Sequence, residues 1–396
     1  MIPRLLRNYL LRDAGYYPVV TLTGPRQSGK TTLARAAFPD HAYVSLEETD
    51  MRAFAREDPR GFLERFPGPV VIDEAQRAPD LLSHLQSTVD RDPRPGRFVL
   101  TGSQHFLLME AVSQTLAGRC GILHLLPFSR AELELQAQAD PVSPSALFGN
   151  RETRLDGWTL IHSGGYPPIH DRAIPPDVWL SDYVRTYVER DVRTLLNVGD
   201  LETFERFLRL CAGRIGQLVN HSSLATDCGV SVDTARRWLS VLKTSFVVFP
   251  LPPHHRNFNK RVIKSPKLYF FDTGLACHLL GIREAAQLDR HPLRGALFEG
   301  YVVAEVAKAY WNHRRTPPIH FWRDQTGHEI DLLIEEGGAL YPVEIKSGAT
   351  VVSDMFDGLR WWSRLAGPAA GGGTLVYGGA EAYDRSGVAV RPWFSV

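Results

Sequence analysis

Residues 24–31 read GPRQSGKT: a glycine, four variable positions, then Gly-Lys-Thr. This is a complete phosphate-binding loop, and its flanks suit it. Val19, Val20, Thr21 and Leu22 predict a short buried strand before it, and residues 32–38 predict the first turns of a helix after it. Glycines let backbone N–H groups curl around a polyphosphate, and the helix N-terminus adds the positive end of its dipole. The nucleotide-binding set is Gly24, Pro25, Arg26, Gln27, Ser28, Gly29, Lys30, Thr31 and Thr32. In such a loop the lysine reaches the outer phosphates and the hydroxyl ligates Mg²⁺, so ATP and Mg²⁺ are the expected cofactors.

Working outward, residues 67–76 read PGPVVIDEAQ. Val70, Val71 and Ile72 are a short apolar run of the kind a parallel strand buried on both faces requires. The run ends in Asp73 and Glu74, at the mouth of the sheet where ligands bind. Asp73 is expected to hold Mg²⁺ and Glu74 to polarise an attacking water; a solvated strand end is the bland alternative. A further strand over 97–100 leads into TGSQ at 101–104. Ser103 is the first choice for a γ-phosphate-sensing residue and Gln104 the second, against a plain glycine turn. Arg119, in LAGRCGILHLLPFS, has two readings: an arginine finger reaching the nucleotide of a neighbouring subunit in a homo-oligomer, or a salt-bridged surface arginine.

The segments GPRQSGKTTL, VVIDEAQ, LTGSQ, LAGR and PFS together resemble the AAA-type ATPases of archaea and bacteria that carry an uncharacterised C-terminal domain. The resemblance extends over nearly the whole chain. It implies a P-loop α/β core with a parallel sheet, a winged-helix segment, and a C-terminal α/β domain similar to PD-(D/E)xK nucleases. The expected divisions are an ATPase domain at 1–135, a helical connector at 136–200, a winged helix at 201–285 and a nuclease-like domain at 286–396.

A chain of 396 residues with 44% apolar and 22% charged residues has room for several ordinary globular domains. Net charge is +1, so any nucleic-acid surface must be local. Cys120, Cys211, Cys228 and Cys277 stand far apart without a CxxC pair, which argues against a zinc site or a disulfide framework and for a reducing cytosol. No apolar run approaches a membrane span. The first residues, MIPRLLRNYLLRDAG, are too charged for a secretion signal; Leu5, Leu6, Tyr9 and Leu10 predict an amphipathic helix instead.

In the middle of the chain, residues 136–150 read as a linker and 162–170 as a loop, with a helix over 179–196. Arg185, Arg190 and Arg193 on that helix either contact nucleotide or partner, or form a solvated face. Residues 203–219 predict an apolar-striped helix. Ser222 or Ser223 is expected to cap a short helix that ends at Gly229, and Ser231 to start a third. Two strands, 246–251 and 267–271, then make a wing around residues 254–267, which hold Arg256, Lys260, Arg261, Lys264 and Lys267 without an acid. Beside Arg236 and Arg237, this basic wing suits DNA phosphates; the same fold also serves as a protein-interaction module.

Residues 293–311 predict a long helix bearing Glu299, followed by strands over 319–323, 329–336 and 340–348, with Gly337-Gly338 as a hairpin turn. Strand period two puts Glu329 and Asp331 on one face, and Glu344 and Lys346 likewise, so the hairpin brings Asp331 near Glu344. Asp331 and Glu344 are then candidate Mg²⁺ ligands with the Ile345 carbonyl, and Lys346 would orient water or steady the phosphorus. The pattern matches the D…ExK of PD-(D/E)xK enzymes except that Ile330 stands where a proline precedes the Asp. That resemblance adds Glu299 as a further metal residue. A binding-only site, or ordinary cross-strand surface pairs, are the alternatives. The tail contributes a last strand.

The reading as a whole is an ATP-hydrolysing AAA-type protein coupled to a DNA-directed, Mg²⁺-dependent nuclease domain. Its rival is an NTP-driven switch in signalling or defence that binds proteins through an inert nuclease-like domain.

Overall fold

The computed structural model describes residues 2–103, 115–136, 141, 143–149, 151–187, 201–255, 263–367 and 371–396. Gln104, Arg190, Arg193, Arg256, Lys260 and Arg261 lie outside the described residues. Two compact units emerge: Met1–Phe128 with Thr244–Phe246 and Trp311–Arg315, and Ser129–Lys243 with Val247–Tyr310 and Thr316–Val396.

In the first unit, β1 (Val19–Thr23), β2 (Ala42–Ser45), β3 (Val70–Asp73), β4 (Phe98–Gly102) and β5 (Cys120–His124) form a parallel sheet in the order β2-β3-β4-β1-β5. Alternation along each strand explains the apolar runs. Val20, Leu22, Val71 and Val99 face one layer of helix with Leu6, Leu10 and Leu33. Val19, Val70, Ile72, Phe98 and Leu100 face the other with Phe62, Leu82 and Leu85. Each such side chain contributes about 1.5–3 kcal/mol when fully buried. The N-terminal helix Leu6–Ala14 buries the stripe its sequence predicts. The interrupted stretch over 50–66 is two helices, Thr49–Glu57 and Pro59–Glu64. Asp58 caps the second by accepting from the Gly61 N–H at 2.9 Å, and Pro59 sits in its first turn, where no amide donor is needed.

In the second unit, the stretch expected to loop over 162–170 is largely helical, as Gly157–Ser163 and Pro167–Asp171. Asp156 caps the first through the Thr159 N–H at 2.8 Å, and two prolines open the second. The predicted 203–219 helix is shorter, Leu201–Ala212. The short helix His221–Cys228 is capped by Asn220, which accepts from the Ser223 N–H at 3.0 Å, and not by Ser222 or Ser223. Gly229 ends it at φ +76°, and Val232–Thr244 follows, with Trp238 edge-on against Phe204 and Phe207. Strands β6 (Val248–Leu251) and β7 (Lys267–Phe270) pair antiparallel.

The same unit carries a six-stranded mixed sheet in the order β12-β13-β11-β10-β9-β8. Its strands are β8 (Ile319–Arg323), β9 (Glu329–Glu336), β10 (Ala339–Lys346), β11 (Thr374–Tyr377), β12 (Tyr383–Arg385) and β13 (Val388–Pro392). Gly337 and Gly338 both have positive φ, +59° and +82°, which the two-residue hairpin turn requires. The parallel β10–β11 step needs a crossover, supplied by the helix Asp357–Ala366. Its buried Leu359, Trp362 and Ala366 recur at helical spacing, and Trp362 and Ala366 pack on Trp322, Ile330 and Leu340. Among the described residues no helix is long and apolar enough to cross a membrane.

Candidate functional site

The phosphate loop joins the carboxyl end of β1 to the helix Lys30–Ala37, and its glycines are there for steric reasons. Gly24 has φ +148°, and a Cβ there would sit 2.1 Å from the Leu125 carbonyl oxygen; Gly29 has φ +92°. Gln27, at φ +57°, carries the strain of a non-glycine residue in the left-handed region. Lys30 is buried and its Nζ donates to the Gly24 and Pro25 carbonyls at 3.1 and 2.6 Å. Its ammonium thus already lies over the loop.

Strand order brings Asp73 to this loop. Thr31 donates to both Asp73 carboxylate oxygens, at 3.1 and 3.0 Å. Tyr43 donates at 2.9 Å, and Thr101 also hydrogen-bonds the carboxylate. Three neutral hydroxyls therefore orient one acid. Burial first, and the Asp73 charge second, push the Tyr43 phenol up to about 12, so it stays a donor at any working pH. Glu74 follows in the left-handed region at φ +56° and accepts from Gln76 Nε2 at 2.5 Å. Ser103 is buried past the end of β4, and among the described residues its hydroxyl has no hydrogen-bond partner. The Thr23 and Ser28 hydroxyls are buried without one too. Unpartnered donors at the mouth of a parallel sheet are what a polyphosphate would satisfy, so the residues fit ATP with Mg²⁺. Arg119 is half-exposed and ion-paired to Asp90 in its own unit.

The second cluster lies on the β9–β10 hairpin. Asp331 accepts from the Ile345 N–H at 2.9 Å and from Lys346 Nζ at 2.9 Å. Lys346 also reaches Glu344 at 2.6 Å. The hairpin therefore brings Asp331, Glu344 and Lys346 together. Burial, then the Asp331 charge, hold the Glu344 carboxyl well above the usual carboxylate range. Asp331 goes the other way: burial opposes its ionisation, but Lys346, Lys267 and the Ile345 amide outweigh it and pull it down. Two carboxyls with opposed shifts in one site are suited to divide proton-holding from charge-holding. Hard oxygen donors with an adjacent ammonium fit Mg²⁺.

Glu299 is differently placed. It is bound by Lys267 Nζ at 2.8 Å and by the Tyr269 hydroxyl. Burial, and then the Asp331 charge, raise the Glu299 carboxyl, so the hairpin acids are felt there while Lys267 and Tyr269 hold it. Lys267 requires a correction. It is not a surface charge of a basic wing: it is 4% exposed and ion-paired to Glu299 and, at 2.5 Å, to Glu329. Burial works against its charge, and the surrounding carboxylates overcome that and raise its pKa.

Four further residues support these sites, Thr101 from within the TGSQ segment and the other three with no motif to mark them. Thr101 and Tyr43 hold Asp73. Arg4 is buried, stacks on Phe128 and donates to the Ser28 carbonyl at 3.0 Å and to Leu126 at 2.5 Å, bracing the loop from behind. Tyr269 holds Glu299. Sequence reasoning missed all four, because their partners lie far away along the chain.

A phosphate loop, an acidic strand end tied to it by Thr31, and this strand order define an AAA-type P-loop ATPase domain, and residues 16–134 match the AAA domain family. Residues 156–286 and 294–394 match two domains of unknown function, DUF8612 and DUF4143. The uncharacterized proteins Rv2008c of Mycobacterium tuberculosis and Mb2031c of Mycobacterium bovis are each 36% identical over 338 residues, covering 84% of this chain and 71% of theirs. The chain belongs to the family of these proteins. Likeness to solved structures is looser. The Walker-type ATPase PABY2304 of Pyrococcus abyssi gives a TM-score of 0.45 at 15% identity, over 69% of this chain and 94% of that one. RuvB of Thermotoga maritima gives 0.28 at 22%, over 62% and 87%.

Proposed function

We propose that this protein hydrolyses ATP in its first unit and that the second unit is a nucleic-acid-directed module whose β9–β10 hairpin cleaves phosphodiesters. The four-segment division (ATPase domain, helical connector, winged helix, nuclease-like domain) belongs to this proposal. The observation that carries it is the direct link between Thr31 and Asp73, which ties the phosphate loop to the acidic strand. In the proposed reaction the loop amides and Lys30 bind the outer phosphates. Thr31 and Asp73 hold the cation side of the site, Glu74 takes the proton from the attacking water, and Ser103 senses the γ-phosphate. Mg²⁺, when bound, neutralises phosphate charge and polarises water. Arg119 acts across copies of the chain only if Asp90 releases it.

In the hairpin, Asp331 and Glu344 would hold Mg²⁺ and Lys346 would position water, with DNA drawn in by the basic segment 254–267 apart from the buried Lys267. Lys30→Ala is expected to lower ATP hydrolysis by about 10²–10³-fold, the scale of losing one preorganised charge partner. Glu344→Gln is expected to remove Mg²⁺-dependent cleavage of DNA and leave ATP hydrolysis unchanged. Full ATPase activity in the Lys30 variant would sink the first half. A wild-type protein that cleaves no nucleic acid would sink the second and favour the switch reading. That reading has its own supporting observation: Lys267 and Lys346 already neutralise the acids that a metal would need.

A further inference from the structure

A cavity of about 750 Å³ opens beside the hairpin acids, lined by His328, Glu329, Gly358, Arg360, Trp361 and Arg364 among others. Gly358 in its lining packs against the buried Glu344. A Cβ on Gly358 would lie 2.2 Å from Glu344 Oε1, so the helix Asp357–Ala366 comes down on that carboxylate only because this position has no side chain. Glu329 lines the cavity and pairs with Lys267 at 2.5 Å.

Besides the acids Glu329 and Asp357, the walls have two kinds of chemistry. One is aromatic: His328 stacks on Trp361, with centroids 4.3 Å and planes 4° apart, and Trp361 packs on Trp322 at 5.1 Å with planes tilted by 41°. The buried Trp322 anchors it, and the exposed His328 imidazole ends it, oriented by Asp324 and Thr326. The other is cationic. Arg360 and Arg364 are exposed one turn apart on the helix; Arg360 is steadied by Asp357 at 3.4 Å and by the Ser353 carbonyl.

We propose that this cavity is the entry site for a single-stranded nucleic acid, whose unpaired base stacks on the His328–Trp361 platform while flanking phosphates meet Arg360 and Arg364. The inference rests on the phosphodiesterase reading of the hairpin and names its substrate class. The reason for a single strand is physical. An exposed aromatic face takes a base that is free of its own stack, and a duplex does not offer one. Arginines spaced along one helix suit successive phosphates. Glu329 and Gly358 line the cavity, so a backbone phosphate threading past the platform would arrive beside the hairpin acids, with Glu344 just behind Gly358.

The test uses the full chain and a fluorescent single-stranded 12-mer, with its blunt duplex as comparison, read by anisotropy in EDTA so that nothing is cleaved. The wild-type protein should bind the single strand on the order of tenfold more tightly than the duplex. Joint Arg360→Ala and Arg364→Ala should cost about tenfold and lower the slope of log affinity against log salt by about 1.4, or roughly 0.7 for each phosphate that is no longer neutralised. His328→Ala should cost about tenfold, and His328→Phe, which keeps a flat ring without the imidazole's hydrogen bonds, should restore it. Equal binding of duplex, or single-strand binding unmoved by these surface variants, would overturn the proposal. Because binding is read without turnover, failure of the hairpin chemistry is seen separately: variants that alter binding in a protein that cleaves nothing remove the phosphodiesterase reading and leave the strand site standing. Cleavage that persists unchanged in the arginine and His328 variants does the reverse.

Discussion

The two acid-bearing sites of this chain are built on opposite electrostatic plans. Asp73 is oriented by the neutral hydroxyls of Thr31, Tyr43 and Thr101, and Lys30 donates to the Gly24 and Pro25 carbonyls. The three groups described as holding Asp73 are uncharged, so none of them is an ammonium that a cation must displace. On the hairpin face, Asp331, Glu344, Glu299 and Glu329 are held by two lysines, Lys346 and Lys267. There the charges neutralise one another, and a cation must compete with an ammonium already in place. The first site is prepared for its ligand; the second is closed upon itself until something changes its protonation or its pairing.

The sharpest way to break this contrast is at Lys267. Replacing it with Met leaves Glu299 and Glu329 facing each other without a cation in a largely dry setting, and removing one partner of a buried pair typically costs about 3–5 kcal/mol. Urea unfolding of the second unit should have its midpoint at lower concentration, with an unfolding free energy lower by that amount. Adding Glu299→Gln to Lys267→Met should return part of it. A change under about 1 kcal/mol in the Met variant would mean that the cluster is solvated and the self-neutralised description is wrong.

How far the sequence carried each site follows from where its partners lie. The phosphate loop is contiguous, so eight residues displayed it, and Asp73–Glu74 followed from a strand end. The hairpin pairing of Asp331 with Glu344 was also legible, because period two and a Gly-Gly turn fix the register. Thr101, Tyr43 and Arg4 were not, since each is set by strand order or by a helix folding back on the loop. Lys267 misled for a related reason. In a run with Lys264 and Arg261 it reads as one more surface charge, and only the position of β7 beside the helix Arg294–Asn312 turns it inward. The helix Asp357–Ala366 did have a local signal, in the spacing of Leu359, Trp362 and Ala366, that a reading centred on motifs passes over.

A smaller effect sharpens the contrast through pH. Glu344 binds its proton more tightly in the folded protein than in the unfolded chain. Its contribution to stability is therefore present in acid and is lost as pH rises from the ordinary carboxylate value through the raised one. Asp331 is lowered, so its contribution is present above the ordinary value and lost as pH falls below it. On the proposed reading Mg²⁺ binds the ionised Glu344, so its affinity for the hairpin should climb with pH across the upper window, by up to about tenfold per unit, with a proton released on binding. Calorimetric titration of the wild-type protein against Glu344→Gln checks this, and a flat wild-type profile would place Glu344 outside the metal's reach.

The least change expected is at Tyr43. Its hydroxyl is one of three on Asp73, and Tyr43→Phe removes that donor while keeping the ring against which Arg35 stacks at 4.8 Å. A hydrogen bond to a charged acceptor is worth about 1.5–3 kcal/mol at most, and here two hydroxyls remain to hold the acid. ATP turnover should fall by about fivefold, since roughly 1 kcal/mol of orientation is lost. Nucleotide affinity should hardly move, because the loop amides and Lys30 are untouched. A loss as large as that of Asp73→Ala would mean that the phenol alone sets the carboxylate, and that the three hydroxyls do not share the task. The site would then depend on a single contact in the way the hairpin depends on Lys267, and the two plans would be less different than their charges imply.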